Sequence, residues 1–263
     1  YEQEDERILK LLKAGLILPP WKDKSEGRGV GGGYAQSGLG LGPSLVLLLV
    51  DYTKILNNGT LTLIEQAKKC QEELRFTDAE SIDKFRYYRA VVMAFEAINT
   101  LADRYSALAF EMAEKESDPV RREELKTIGE TCAWVPRYKP RTFREAIQCF
   151  WFQFLMLSPS TTLPGGRFDQ YMYPYYKADL EAGRITKEEA TELLCCMRLK
   201  DMELNRTSGK NNRKKNAGFA KWHNFIIGGV KPDGTDATND LSYMLLDAAL
   251  ITRTPHHTIT LRV

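Results

Sequence analysis

The sequence predicts an α/β protein whose greater part is helical and whose residues 206–263 form a strand, a helix and a second strand. Two patterns carry this prediction. Between 61 and 205, apolar residues recur at three- and four-residue steps, and helix-capping motifs divide the segments. From 222 onward, two β-branched runs flank a single helical pattern, the signature of a βαβ unit. With 263 residues, 43% hydrophobic and 27% charged, the chain has globular composition and enough apolar surface for one sizeable core.

Residues 1–14 set Ile8, Leu9, Leu11 and Leu12 among charges, an amphipathic helix pattern ended by Gly15 and Pro19-Pro20. Eight glycines between 27 and 43 exclude a regular element there. That segment is neither GxGxxG after a strand nor a Walker sequence with its lysine, so it reads as a wall or cover loop rather than a phosphate cradle. A helical stretch follows from about Ser44 into the 50s, and helices are predicted over 61–76 and 82–117. The latter bears Phe85, Tyr88, Val92, Phe95, Ile98, Leu101, Tyr105, Leu108 and Met112 at helical steps, a stripe expected to pack in the core. Asp118 as N-cap and Pro119 at the first helical position open a helix to about Cys132, and the short connection makes the two an antiparallel pair.

Thr142 and Glu145 fit a capping box before a helix over 146–157, whose Phe150, Trp151, Phe152 and Phe154 demand burial nearly all round. After a turn-rich stretch at 161–170, an aromatic helix runs over 171–181 to Gly183. Thr186 and Glu189 form a second capping box, opening a helix to about Asn205. Residues 208–221 read as a solvated polar loop with Lys210, Arg213, Lys214 and Lys215. A strand at 222–230, a turn at 231–234, a helix at 239–252 and a strand at 258–263 complete the chain, which implies two parallel strands under one helix.

Several function classes fall away on charge and motif grounds. Lys plus Arg number 37 against 35 Asp plus Glu, a net charge of +2, so no overall field recruits nucleic acid or anionic lipid. The run 45–50 is far short of the ~20 apolar residues of a membrane helix. Five cysteines without CxxC spacing imply reduced thiols, and the adjacent Cys195 and Cys196 diverge by about 100° on a helix, so they read as packing thiols. No Ser-His-Asp order, HExxH, P-loop or dinucleotide fingerprint occurs, and the acids between 233 and 240 lack EF-hand order. The three histidines, His223, His256 and His257, fall at strand beginnings, whereas ligands in parallel sheets meet the carboxyl ends. His256 and His257 are expected on opposite strand faces, unable to share one ion. The opening Tyr1-Glu-Gln-Glu-Asp-Glu6 and the terminal strand give the expectation that this is a piece of a longer protein.

Six motifs occur in an order that resembles the glycyl radical enzymes, with their pyruvate formate-lyase-like domain. They are Pro140-Arg-Thr-Phe-Arg-Glu-Ala-Ile-Gln148, Gly166-Arg-Phe-Asp-Gln-Tyr-Met-Tyr-Pro-Tyr-Tyr176, Gly183-Arg-Ile-Thr-Lys-Glu-Glu-Ala190, Phe225-Ile-Ile-Gly-Gly229, Asp233-Gly-Thr-Asp-Ala-Thr-Asn239 and Arg253-Thr-Pro255. The resemblance covers roughly residues 60–263. It implies a ten-stranded β/α barrel of two antiparallel half-barrels in a helical jacket, with a radical-storing glycine loop and a thiyl-forming cysteine loop meeting inside. Both loops lie downstream of the matched region in that family, so this chain would be part of one domain: 1–60 a helix and Gly-rich loop, 61–205 the helical layer, 206–263 the first strands. Alone it is expected to be inactive.

By the same resemblance the whole protein is a lyase cleaving carbon–carbon or carbon–heteroatom bonds, of arylacetate decarboxylase or diol dehydratase type, with a slight lean to the decarboxylases. The alternatives are a formate C-acetyltransferase type and a non-catalytic helical scaffold. Its cofactor is the glycyl radical, with no metal in this chain. Its partners are a small organic substrate, a radical S-adenosylmethionine activating enzyme and a second copy of itself, in an anaerobic cytoplasm, without nucleic acid or membrane. Thr162 is carried over as a substrate-contacting hydroxyl, and His223 is taken as a second substrate contact. Arg167 and Asp169 are expected to fix the backbone by hydrogen bonds and an ion pair, and Trp222, His223 and Asn224 to mark a subfamily.

Overall fold

The computed structural model describes residues 50–76, 79–157, 164–204 and 223–263. The helix expected at 1–14, the Gly-rich segment, Thr161, Thr162, the basic loop and Trp222 lie outside the described residues. Those described form α1 (Thr53–Glu72), α2 (Ala79–Lys115), α3 (Pro119–Trp134), α4 (Phe143–Leu157), α5 (Phe168–Glu181), α6 (Lys187–Met202), β1 (Asn224–Gly228), α7 (Asp240–Thr252) and β2 (Thr258–Arg262).

Helix α1 joins what the sequence reads as two helices, because the chain bends rather than stops at Gly59, whose φ of 73° and ψ of 159° interrupt the helical path. A Cβ there would lie 2.3 Å from the Arg137 carbonyl oxygen. The bend brings the amides of Thr60 and Leu61 onto the carbonyls of Pro136 and Arg137, at 2.9 and 3.2 Å. Beyond it, Thr60 Oγ1 donates to Asn99 Oδ1 at 2.7 Å in a buried contact that fixes α1 on α2. Asp118 caps α3 through Val120 N at 3.0 Å, with Pro119 at the first position, and α3 returns along α2.

The stripe expected to fill the core along α2 does so only in its first half. Val92 and Ile98 are buried, but Tyr105, Leu108 and Met112 are 45%, 50% and 47% exposed. The buried face is instead Val92, Ile98, Asn99, Ala102, Ser106, Ala109 and Ala113. Helices α1 and α3 both pack on that side, and the small residues let α3 come close: Ser106 Oγ donates to the Gly129 carbonyl at 2.8 Å.

Helix α4 is the hub. Phe143, Ala146, Cys149, Phe150, Phe152 and Phe154 are at most 1% exposed, as its aromatic content requires, although Arg144 and Met156 face solvent. Its capping box is only half formed: Glu145 N donates to Thr142 Oγ1 at 3.2 Å, while the Glu145 carboxylate accepts from Arg141 N at 2.6 Å and pairs with the Arg141 guanidinium. The Phe150 ring meets Tyr52, Phe154, Phe168 and Phe225 at centroid distances of 4.7, 5.4, 5.2 and 5.8 Å. Each such fully buried ring contributes about 2 to 3 kcal/mol over exposure. The box at Thr186 and Glu189 on α6 is complete.

Strands β1 and β2 are parallel, Asn224 opposite Thr258 through Gly228 opposite Arg262, with α7 between them in sequence. Leu241, Met244, Leu245 and Ala248 of α7 join Phe225 and Ile227 in the core. Along the other edge of β1, Gly165 N donates to the Asn224 carbonyl at 2.9 Å and Ile226 N to the Gly166 carbonyl at 2.8 Å.

Replacing Gly59 by Ala places a Cβ on the Arg137 carbonyl and a side chain at a φ that L-residues rarely adopt. The expected cost is about 2 to 4 kcal/mol, read as a lowered thermal midpoint, with the 53–72 segment becoming the first site of proteolysis.

Candidate functional site

In parallel sheets the chemistry collects beyond the carboxyl ends of the strands. Here that end of β1 is built by the Gly166-to-Gln170 stretch. Asp169, in the first turn of α5 where a helix favours an anion, is fully buried. Its Oδ2 accepts from Gly228 N at 2.8 Å and from Ser242 Oγ at 2.6 Å, so one carboxylate oxygen holds α5, β1 and α7. The Asp169 carbonyl accepts from Asn239 Nδ2 at 3.1 Å, and Gln170 Nε2 donates to the Ala237 carbonyl at 2.7 Å.

Arg167 places its guanidinium on the Gly228 and Val230 carbonyls, at 2.9 and 3.3 Å, rather than on Asp169, so the expected ion pair gives way to two backbone clamps. Gly228 and Gly229 leave the strand at φ of 71° and 85°, a path the clamps enforce and a side chain would strain. Beside them an open depression of about 420 Å³ is lined by Gln170, Tyr173, Lys231, Asn239, Asp240 and Tyr243. Asp169 Oδ1 is buried without a hydrogen-bond partner among the described residues, which leaves this end of the fold able to accept one more donor.

The histidines gather at the opposite, amino end. His223 immediately precedes β1 and is 1% exposed, with Nδ1 2.8 Å from Asp201 Oδ1. A carboxylate at that distance orients the imidazole ring through Nδ1. His257 Nε2 stands 3.5 Å from Asp201 Oδ2. His256 and His257 lie before β2 begins at Thr258 and are both buried, so they do not alternate across a strand as expected. The His257 ring stacks on Phe225 at 3.9 Å and meets the Phe154 edge at 5.9 Å.

Arg198, 2% exposed, caps the cluster by donating to the His257 and Thr254 carbonyls at 3.0 and 3.2 Å and to Thr252 Oγ1 at 3.2 Å. Burial pushes the His257 imidazole down to about 3, outweighing the attraction of Asp201, so the ring is neutral in neutral solution. Among the described residues no group of three His, Cys, Asp or Glu side chains is placed to hold a metal ion.

Asp201, Ser242 and Asn239 carry the connections at the two ends, yet none stands out in the sequence. The available signal was Arg198 and Asp201, two charges three apart on a helix that must be half buried. The cysteines offer no reactive sulfur at either end. Burial raises the Cys132 thiol to about 11 and Cys149 to about 12. Cys70 and Cys196 are exposed on α1 and α6, so of the adjacent pair only the half-buried Cys195 packs as expected. No helix among the described residues is long and apolar enough to cross a membrane.

Residues 20–263 match the family model described as pyruvate formate lyase-like. The chain is 39% identical over 206 residues to an isethionate sulfite-lyase of Nitratidesulfovibrio vulgaris, covering 74% of this chain and 24% of that protein. To a (2S)-3-sulfopropanediol dehydratase of Klebsiella oxytoca it is 33% identical, covering 88% and 28%. A structure solved for 1,2-propanediol dehydration in Roseburia inulinivorans superposes with a TM-score of 0.80 at 33% identity, over 98% of this chain and 29% of that one. The chain thus spans about a quarter of the length of the curated relatives it matches.

The neutral, buried His257 makes stability pH-dependent. Its pKa is lower in the folded than in the unfolded chain, so the unfolded state takes up the proton first, and stability present above about 6.5 is lost as pH falls toward 3. Unfolding of His257→Phe, which keeps the ring and removes the proton site, should show a slope flatter by about 1.4 kcal/mol per pH unit across that window; an unchanged slope would mean the imidazole is not buried.

Proposed function

The chain belongs to the pyruvate formate lyase-like family of glycyl radical enzymes, and we propose that it supplies the helical layer and first barrel strands of a lyase that cleaves a carbon–heteroatom bond in a small organic substrate. The observation that carries this reading is the likeness to proteins named for removing sulfite from isethionate and for dehydrating sulfopropanediol. It draws the reaction away from the decarboxylase lean of the motifs and toward elimination.

In this reading β1 and β2 open a ten-stranded barrel, and the three segments 1–60, 61–205 and 206–263 are successive parts of one domain. The parallel register of β1 and β2 and the burial of Phe225 and Ile227 support it. A carbon-centred radical has to be kept from water and oxygen, and a jacket of packed helices around α4 supplies such a wall. The glycyl radical forms on a glycine of the polypeptide, outside the matched region. The family's thiyl-forming cysteine is assigned there too, in keeping with the buried, high-pKa thiols of Cys132 and Cys149.

Two residues are proposed to touch substrate. Thr162 is carried over from the resemblance, three residues before Gly165 in the sequence. His223, oriented by Asp201, presents its imidazole from the amino end of β1. Arg167 and Asp169 act through the backbone of β1. The whole protein is read as a cytoplasmic dimer, activated by a radical S-adenosylmethionine enzyme.

The complete reading frame, expressed without oxygen together with such an activating enzyme, should give a glycyl doublet by electron paramagnetic resonance. It should then release sulfite or an aldehyde from a panel of isethionate, sulfopropanediol and 1,2-propanediol. Residues 1–263 alone should release nothing, and Thr162→Ala should raise KM for the accepted substrate about tenfold. Turnover only of arylacetates, or of pyruvate with coenzyme A, would move the protein to the decarboxylase or formate C-acetyltransferase types. Failure to form any radical despite an intact glycyl loop would leave a non-catalytic scaffold.

A further inference from the structure

The segment Pro164–Gly166 runs parallel to β1 along the edge away from β2, with Gly166 paired to Phe225. Its amide at Gly165 and its carbonyl at Gly166 are spent on β1. The two remaining carbonyls go to tyrosine hydroxyls: Tyr52 Oη donates to the Pro164 carbonyl at 3.2 Å, and Tyr171 Oη to the Gly165 carbonyl at 2.6 Å. One hydroxyl comes from the head of α1, 112 residues away, and the other from α5. The two rings stack at 5.9 Å and both meet Phe150, at 4.7 and 6.3 Å. Burial pushes both phenols above their ordinary range, so they stay protonated and keep donating in neutral and mildly alkaline solution.

The composition of the segment explains why it needs such a clamp. Gly165 has to be a glycine because the Phe225 ring stands where a Cβ would be, and Gly166 sits at a φ of 64°. Two successive glycines give the backbone little stiffness of its own, so its path has to be set from outside. The β1 ladder sets it along one edge and the two hydroxyls hold the carbonyls that the ladder does not take. The position matters because both residues proposed to touch substrate adjoin this junction in the chain. Thr162 stands two residues before Pro164, and His223 one before Asn224, whose carbonyl takes the Gly165 amide at 2.9 Å. Tyr175, one turn further along α5, makes a bond of the same kind, 2.7 Å to the Leu56 carbonyl, which joins α5 to α1 and leaves the 164–166 segment out.

We propose that Tyr52 and Tyr171 are positioning residues for substrate binding, which fix, through the Pro164 and Gly165 carbonyls, the backbone from which the Thr162 contact extends. The inference rests on the reading of Thr162 given above and adds to it the pair of side chains that sets its place. Neither phenol is spent on substrate, because each hydroxyl has one proton and gives it to a carbonyl.

The test uses the full-length protein from its complete reading frame, activated without oxygen. Tyr52→Phe and Tyr171→Phe keep the rings and remove one hydroxyl each. Each should raise KM for isethionate, sulfopropanediol or 1,2-propanediol, whichever is turned over, about fivefold, with kcat within about twofold and the glycyl doublet unchanged. Tyr175→Phe, which loses an equivalent bond outside the segment, should lower the thermal midpoint to a similar extent and leave KM alone. In a Thr162→Ala background the Tyr52 and Tyr171 substitutions should shift KM by less than about twofold, because they act through that side chain. Unmoved KM values, shifts of equal size with and without the Thr162 hydroxyl, or an equal shift in Tyr175→Phe would overturn the proposal. Hydrogen exchange at the Gly165 amide of the unactivated protein gives a second readout that needs no turnover. It should quicken about tenfold or more in Tyr171→Phe and stay unchanged in Tyr175→Phe, and equal protection in both would contradict the clamp. Absence of turnover in the unaltered protein would overturn the enzymatic reading and this proposal together, whereas turnover with unmoved KM values overturns the proposal alone.

Discussion

The arrangement of the strand–helix–strand unit depends on a single buried carboxylate. Asp169 is fully buried and spends one oxygen on the Gly228 amide and the Ser242 hydroxyl, elements 59 and 73 residues away in the chain. A buried polar group is costly unless its hydrogen bonds are made, so moving α5, β1 or α7 apart loses the bonds that join them. Arg167 adds the complementary constraint, holding the Gly228 and Val230 carbonyls while Asp169 holds the Gly228 amide. Between them the two side chains satisfy the backbone where β1 ends, at the point where two glycines turn the chain away.

Around that tie the aromatic packing follows. Phe168, next in sequence to Asp169, stacks on Phe225 at 4.8 Å and meets Phe150 edge-on at 5.2 Å, so the turn that fixes β1 also seats it on α4. Gly165 has no side chain because the Phe225 ring occupies the place where one would stand, 2.2 Å from its would-be Cβ. At the other end Arg198 and Asp201 reach from α6 to the entries of both strands, one through carbonyls and the other through imidazoles. The unit is thus gripped at both ends by charged side chains whose partners lie far away in sequence.

That distance explains what could be read from the sequence. Features whose partners lie within one turn are legible: the Thr186–Glu189 box and the Asp118 cap with Pro119 both hold as local rules require. The parallel strands followed from the order of elements. What depended on tertiary neighbours was not. The bend at Gly59 answers a carbonyl 78 residues on, which periodicity cannot register. Glu145 turned from its box to Arg141, and the α2 stripe was read as core because a helical period says which residues share a face but not which face a neighbour covers. Asp201 was invisible because its meaning lies in His223 and His257. Thr162, carried by resemblance alone, lies outside the described residues.

The Asp169 carboxylate, not the strand ladder alone, holds the carboxyl end of β1 in place. The direct measurement is amide hydrogen exchange across residues 225–230 in the native protein and in Asp169→Ala. The Gly228 amide should be protected to the level of the α4 core and exchange at least a hundredfold faster in the variant, while α4 is unchanged. Equal protection of Gly228 in both proteins would contradict it, and would assign the end of β1 to the strand pairing with β2.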